Sequence, residues 1–144
     1  MTDVAQKQPT CKQRWREHKD SRFDDLRRLW EAEQAGNEDG VEDLGTLNEY
    51  GLCFDCVAPG TFRDDNEGYW RYQISWGGPS DEIRFYASGP HDPPYRIEYW
   101  FLDWWDGHGR AVRGADLALA TDLWDWFKEC GSTESEYKKA REGG

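Results

Sequence analysis

Hydrophobic spacing predicts a long helix near each end of the chain. From Cys11 to Ala35, apolar residues recur about every 3.6 positions while Arg and Lys fill the opposite face. The apolar stripe consists of Trp15, Phe23, Leu26, Leu29 and Trp30. Ser21 and Asp24 have the spacing of a helix start, so a break near residue 20 stays open. A second amphipathic segment, Ala115–Cys130, predicts another helix, and a capping pattern predicts a short last helix over Thr133–Arg141.

Four segments between these helices have the pattern of β-strands. Leu52–Val57 is short and apolar, whereas Tyr69–Trp76 and Glu82–Ala87 alternate with period two on either side of a Gly-rich turn. The alternation places four side chains on one face, namely Trp70, Tyr72, Ile74 and Trp76. Tyr95–Trp105 is apolar on both faces, which is typical of a strand that is covered on both sides or bends at its far end. A loop is predicted after it, around Gly107, Gly109 and Gly114.

The order of these elements predicts an α+β fold: a four-stranded antiparallel sheet with N-terminal and C-terminal helices packed on it. The chain has 144 residues, and we expect a single α+β domain over residues 11–141. Residues 1–10 are polar and include Pro9, so we expect a disordered N-terminus. No apolar window of about 18 residues occurs, and the first residues lack the apolar region of a signal peptide. We therefore expect a cytoplasmic protein without a membrane partner.

Charge changes this picture, because it is concentrated in one segment. The chain carries 29 acidic and 18 basic residues, a formal net charge of -11. Residues 31–67 hold 11 of the acids and a single base, Arg63, which makes that segment -10. Such a segment argues against direct binding of nucleic acid and favours a basic partner. The simpler interpretation is a solvated loop that keeps the protein in solution.

Aromatic residues are the second compositional signal. The chain has 9 Trp, 7 Tyr and 6 Phe, which predicts an aromatic-rich core. The segment Trp100–Asp106 interleaves four aromatics with two acids, Asp103 and Asp106. This pattern fits either a cation-binding surface or, more simply, a strand packed in an aromatic core.

Candidate catalytic and metal-binding residues are few. Cys53 and Cys56 form a Cys-x-x-Cys pattern, but in a strand positions three apart face opposite sides, so we expect ordinary reduced thiols. The three histidines, His18, His91 and His108, lie in no recognisable nucleophile or zinc-binding arrangement. We expect no cofactor, no metal and no enzymatic activity. A pair of carboxylates that meets only in the fold, as in glycosidases, stays open.

Three segments carry a resemblance to a known class of proteins. They are YGLCFDCVAPGTF (Tyr50–Phe62), RYQISWGGPSDE (Arg71–Glu82) and IEYWFLDWWDG (Ile97–Gly107). They resemble small acidic accessory proteins of bacterial mobile genetic elements, plasmids and conjugative elements. The resemblance implies a cargo gene of such an element and, one step further, an anti-defence role of the anti-CRISPR or anti-restriction type.

These observations together predict an inhibitor of a host nucleic-acid-binding defence complex, in which acidic side chains occupy the basic groove where phosphates would lie. The predicted partner-binding residues are Glu38, Asp39, Glu42, Asp43, Glu49, Asp64, Asp65, Glu67, Trp105 and Asp106. The alternative is a non-enzymatic protein–protein interaction module that uses exposed aromatics such as Trp105, with a homodimer as one form.

Overall fold

The computed structural model describes residues 11–61, 67–76, 79–103 and 106–142. Within these residues the elements are α1 (Cys11–Gln34), α2 (Leu47–Tyr50), β1 (Cys53–Val57), β2 (Tyr69–Ser75), β3 (Ser80–Ala87), β4 (Pro94–Asp103), β5 (Asp106–Ala111), α3 (Gly114–Glu129) and α4 (Ser132–Glu142). The predicted disorder of residues 1–10 falls outside the described residues.

The strands form one antiparallel sheet in the order β1-β2-β3-β4-β5, so each strand pairs with its neighbours along the chain. The α+β class, the antiparallel sheet and the helices at both ends are therefore as predicted. The helix α1 is continuous, without a break near residue 20. None of the described helices combines the length and the apolar character that crossing a membrane requires.

The predicted number of four strands is wrong, because the Gly-rich segment after β4 is a fifth strand. Its glycines are required by the packing of β4. Gly109 lies opposite Trp100, and a Cβ atom at this glycine would lie 2.0 Å from Cε2 of the indole ring. Glycine here is therefore a site of close approach within a sheet rather than a turn signal.

One face of the sheet packs against the helices and forms the aromatic core. Its buried strand residues are Trp70, Tyr72, Ile74, Ile83, Phe85, Ile97, Tyr99 and Phe101, and they contact Phe23, Leu26 and Leu29 of α1 and Leu119, Leu123, Trp124 and Phe127 of α3. Full burial of such a side chain stabilises the fold by roughly 1.5–3 kcal/mol. The indole N–H groups within this core have acceptors: Trp70 donates to the carbonyl of Thr133 and Trp124 to that of Asp92.

The opposite face carries alternating charges and rings instead of a helix layer. Arg84 lies between two aromatic rings, 4.2 Å from the ring centroid of Trp100 and 4.8 Å from that of Tyr69. Its Nε donates to Glu82 at 2.7 Å, and Glu82 is only 2% exposed. Stacked guanidinium groups thus cover the apolar surface that this face would otherwise expose.

Candidate functional site

The acidic residues at the C-terminal end of α1 and in the segment after it form an ordered surface, which we call the acidic lobe and define as residues 31–50. The lobe contains no Lys, Arg or His and seven acids, so its formal charge is -7: Glu31, Glu33, Glu38, Asp39, Glu42, Asp43 and Glu49. All seven are exposed. Among the described residues, no ion pair includes any of them.

Local hydrogen bonds give the lobe its shape. The side chain of Asn37 donates to the carbonyl of Gly40 at 3.1 Å and accepts from the backbone N–H of Asp39, also at 3.1 Å. The N–H of Val41 then donates to the carbonyl of Gly45 at 2.8 Å. Gly40 has φ +76°, and a Cβ atom there would lie 2.2 Å from the Gly45 carbonyl oxygen, so this turn requires glycine.

The helix α2 closes the lobe through a capping box. The carboxylate of Glu49 accepts the backbone N–H of Thr46 at 3.1 Å and its hydroxyl at 2.9 Å. Leu47 is buried in the core, and Val41 and Leu44 pack against it from the lobe. The lobe is therefore fixed to the core by its apolar residues while its carboxylates face solvent.

A buried polar network connects the end of the lobe to the sheet. Tyr50 donates to Asp25 at 2.8 Å and accepts from Arg22 at 3.0 Å. Arg22 in turn donates through Nε to Asp81 at 2.7 Å, and Asp81 is 1% exposed. Tyr99 and Ser75 also donate to Asp81, each at 2.5 Å. Each polar side chain of this network has a hydrogen-bond partner, as buried polar groups require.

The network also shifts the ionisation of its members. Burial raises the pKa of Tyr50 to about 12, so this hydroxyl stays protonated and keeps donating to Asp25. Burial opposes the charge of Arg22, but hydrogen bonds to Asp81 and Tyr50 outweigh it and raise the pKa of the guanidinium. Burial and the neighbouring Asp81 carboxylate raise the pKa of Tyr99. The two tyrosine hydroxyls and the guanidinium therefore stay protonated across the physiological range.

The structure brings half of the predicted partner-binding residues together. Five of them lie in the acidic lobe: Glu38, Asp39, Glu42, Asp43 and Glu49. Glu67 does not join them, because Arg96 donates to it at 2.7 Å and Tyr95 at 2.6 Å, and these bonds lower the pKa of Glu67. Predicted residues Asp64, Asp65 and Trp105 lie outside the described residues.

Asp106, the remaining predicted residue, lies at the other end of α1. It begins β5 opposite Asp103, which is ion-paired with Arg14 in the first turns of the helix. From Arg14 to Glu31 the axis of α1 extends roughly 25 Å at 1.5 Å per residue. The described acids of residues 31–67, together with Asp106, therefore do not form one surface, and within that segment the exposed acids without an ion pair before Asp55 are those of the acidic lobe.

The aromatic side chains are distributed differently from the predicted pattern. Trp70, Tyr72 and Ile74 are buried on the helix-covered face as predicted, but Trp76 is 78% exposed because it follows the last residue of β2. Leu52, also exposed, precedes β1 at the same end of the sheet, where its N–H donates to the carbonyl of Gln73. Trp100 lies over Gly109 on the face without helices and donates to Glu98 at 2.9 Å.

The thiols and histidines of the described residues are not gathered into a metal-binding group. Cys53 and Cys56 pair with residues of β2 on opposite faces of the sheet, as the strand pattern predicted, and both are free thiols. Burial and the nearby Asp55 carboxylate raise the pKa of Cys56 to about 11. No group of three or more His, Cys, Asp or Glu among the described residues is placed to hold a metal ion.

Sequence patterns did not reveal the buried acids of β3. Asp81 and Glu82 follow the sequence Gly-Gly-Pro-Ser, which is a turn pattern, and acids next to such a pattern are usually exposed. Their partners, Arg22 and Arg84, are 59 and 2 residues away in sequence. Period-two alternation from Ile83 back to Asp81 was the available signal, because it placed Asp81 on the covered face.

Comparisons with protein-family models, with curated proteins and with solved structures found no match to this chain.

Proposed function

We propose that this protein is an acidic inhibitor that binds the basic groove of a nucleic-acid-binding host defence complex through its acidic lobe. The observation that carries the proposal is the set of seven exposed carboxylates in residues 31–50, with no basic residue among them. In a basic groove these carboxylates would take the places of phosphates. The resemblance to accessory proteins of mobile elements supports a target of the CRISPR or restriction type.

The positions of the acids support a binding role over a purely solubilising one. Glu31 and Glu33 lie at the C-terminal end of α1, whose last turn has no basic residue. Carboxylates there interact unfavourably with the helix dipole and with one another, so they reduce stability. The seven carboxylates of this ordered segment repel one another. A cationic partner would relieve that repulsion, which explains why the segment carries them.

Order in the lobe supports the same role. The Asn37 hydrogen bonds, the Gly40 turn and the capping box at Thr46 fix the backbone before any partner binds. A partner then binds without the entropic cost of ordering a loop. The proposed mode of action is competitive binding without catalysis, in the cytoplasm, where such complexes reside.

Elution with nucleic acid tests this proposal. Tagged protein is immobilised, bacterial lysate is applied at about 50 mM salt, and bound proteins are eluted in parallel with about 300 mM salt and with a short DNA duplex or single-stranded RNA. We expect a nucleic-acid-binding protein that both treatments release. A bound protein that nucleic acid does not displace would contradict occupancy of its groove.

A second candidate function is a salt-tolerant protein–protein contact through exposed apolar side chains. The exposure of Trp76, with Leu52 at the same end of the sheet, favours it. Large exposed aromatics are typical centres of protein interfaces. Here Trp76→Ala would abolish capture of the bound protein and salt would not, which is the opposite of the pattern expected for the acidic lobe.

A further inference from the structure

The outer edge of β5 is a sheet edge along which no other described strand pairs. In the sheet order, β1 and β5 are the two ends, and α4 packs against β1 from the helix-covered face. The helix α1 lies over β4 and β5 on the face of the sheet rather than beyond its edge. In the part of the chain that the structure describes, no backbone group of another segment bonds to the outer side of β5.

Two hydrogen bonds establish which residues of β5 point outward. The N–H of Val112, just after the strand, donates to the carbonyl of Ile97 at 2.9 Å, so even-numbered positions direct their backbone groups toward β4. The N–H of Gly107 instead donates to the Asp106 carboxylate at 2.9 Å. In an antiparallel ladder alternate residues point to opposite sides. The backbone groups of Gly107 and Gly109 therefore face solvent at the free edge.

We propose that β5 is a dimerisation edge on which the β5 strand of a second copy pairs antiparallel, with His108 of each copy opposite the other. In an antiparallel pair, the backbone N–H and C=O groups of two directly opposed residues either both point toward the other strand or both point away from it. Only registers that pair odd with odd and even with even positions are therefore possible. With His108 central, Gly107 of each copy lies opposite Gly109 of the other. On pairing, the Gly107 N–H exchanges the Asp106 carboxylate for a backbone carbonyl of the other copy, and these glycines form about four backbone hydrogen bonds across the edge.

Charge complementarity favours this register and a second copy of the chain as the binding partner. With His108 central, Asp106 of each copy lies opposite Arg110 of the other, and both side chains are exposed. These are non-hydrogen-bonded pairs, in which side chains approach more closely, and opposite charges there stabilise the pairing. A shift by two residues in either direction loses both Asp106–Arg110 pairs. The strand is thus complementary to itself in one register.

The side chains around the two-fold axis are compatible with close approach. His108 packs edge-on against Trp15, and burial together with Arg110 and Lys12 lowers the pKa of the imidazole. At neutral pH the two opposed rings are therefore uncharged and do not repel each other. Because β5 has six residues and each copy carries a net charge of -11, we expect a dimer with a Kd on the order of micromolar rather than an obligate one.

A charge-swap series tests the pairing. Sedimentation equilibrium is measured for the unmodified chain, Asp106→Arg, Arg110→Asp and the double variant. Each single change places like charges opposite each other twice per dimer, so we expect the Kd to rise about tenfold or more; the double variant restores both pairs and returns it to within about threefold. Asp122→Arg, an exposed change on α3 with the same effect on net charge as Asp106→Arg, is the control and leaves the Kd unchanged.

Amide hydrogen exchange on the unmodified chain gives a second measurement that no variant can confound. At protein concentrations above the Kd, the amides of Gly107 and Gly109 exchange more slowly than in dilute solution. A chain that is monomeric at all concentrations overturns the proposal. So does a dimer whose Kd is insensitive to the single swaps, or in which these two amides exchange equally fast at high and low concentration.

Discussion

Asp81 is the residue on which the polar network depends. It accepts hydrogen bonds from Arg22, Tyr99 and Ser75 while being almost fully buried. Asp81→Ala would leave a half-buried guanidinium and a buried hydroxyl without their acceptor. We expect the free energy of unfolding in urea to fall by about 3 kcal/mol.

The matched control for this substitution is Asp122→Ala, which removes an exposed acid of α3. It changes the free energy of unfolding by less than about 1 kcal/mol. An equal effect of the two substitutions would show that the Asp81 network does not stabilise the fold.

The rate at which the Cys56 thiol is alkylated tests the environment described for this residue. Burial and Asp55 raise its pKa to about 11, two pKa units above the ordinary value of 9.0. At pH 8 its thiolate population is therefore about a hundredfold lower than that of an unperturbed thiol. Alkylation with iodoacetamide, followed by peptide mass spectrometry, is expected to label exposed Cys130 first and Cys56 last. Labelling of Cys56 as fast as Cys130 would contradict the described environment.

At the level of single elements, the turn at Gly40 determines the shape of the acidic lobe. Gly40→Ala combines a left-handed φ with a Cβ atom 2.2 Å from a carbonyl oxygen of the same turn. Gly60→Ala has a similar φ of +80° but open space around the new atom, so it isolates the conformational cost of about 1–2 kcal/mol. We expect Gly40→Ala to destabilise the protein more than Gly60→Ala and to accelerate amide exchange across residues 41–46. Equal effects of the two substitutions would mean that the turn is not sterically restricted.

The sequence patterns predicted α1, α3, α4 and the first four strands, whereas α2 and β5 were not predicted. Periodicity reports which face of an element is apolar, and β5 has almost no apolar side chains to report. Its glycines suggested a loop, but their meaning depends on Trp100, whose ring occupies the space above Gly109. A contact between strands of this kind cannot be inferred from the pattern of one strand alone.

For the molecule as a whole, the asymmetry of charge was readable from the sequence, but its spatial arrangement was not. In the fold, the acids that give residues 31–67 their net charge of -10 lie in two different environments. The acids up to Glu49 stay unpaired in the lobe, whereas Asp55 and Glu67 form ion pairs with Arg71 and Arg96. Such pairs join residues 16 and 29 positions apart, which only strand pairing brings together. Sequence could therefore predict the excess of acids, while the boundaries of the exposed acidic surface required the structure.

Two variants with equal net charge separate the contribution of the acidic lobe from that of net charge alone. In the lobe variant, Glu38, Asp39, Glu42, Asp43 and Glu49 become Gln or Asn; Asn tolerates the left-handed φ of residue 43, and Gln keeps the capping position at residue 49. In the control variant, five exposed acids without an ion pair among the described residues are neutralised instead: Glu17, Asp24, Asp122, Glu129 and Glu142.

Each protein is assayed for displacement of a fluorescent duplex or RNA from the nucleic-acid-binding protein recovered by capture. We expect the unmodified chain and the control variant to displace the nucleic acid with similar affinity at about 50 mM salt. We expect the affinity of the lobe variant to be lower by at least about tenfold. An equal loss of affinity in both variants would show that net charge alone accounts for the effect. Full activity of the lobe variant would contradict the role assigned to the acidic lobe.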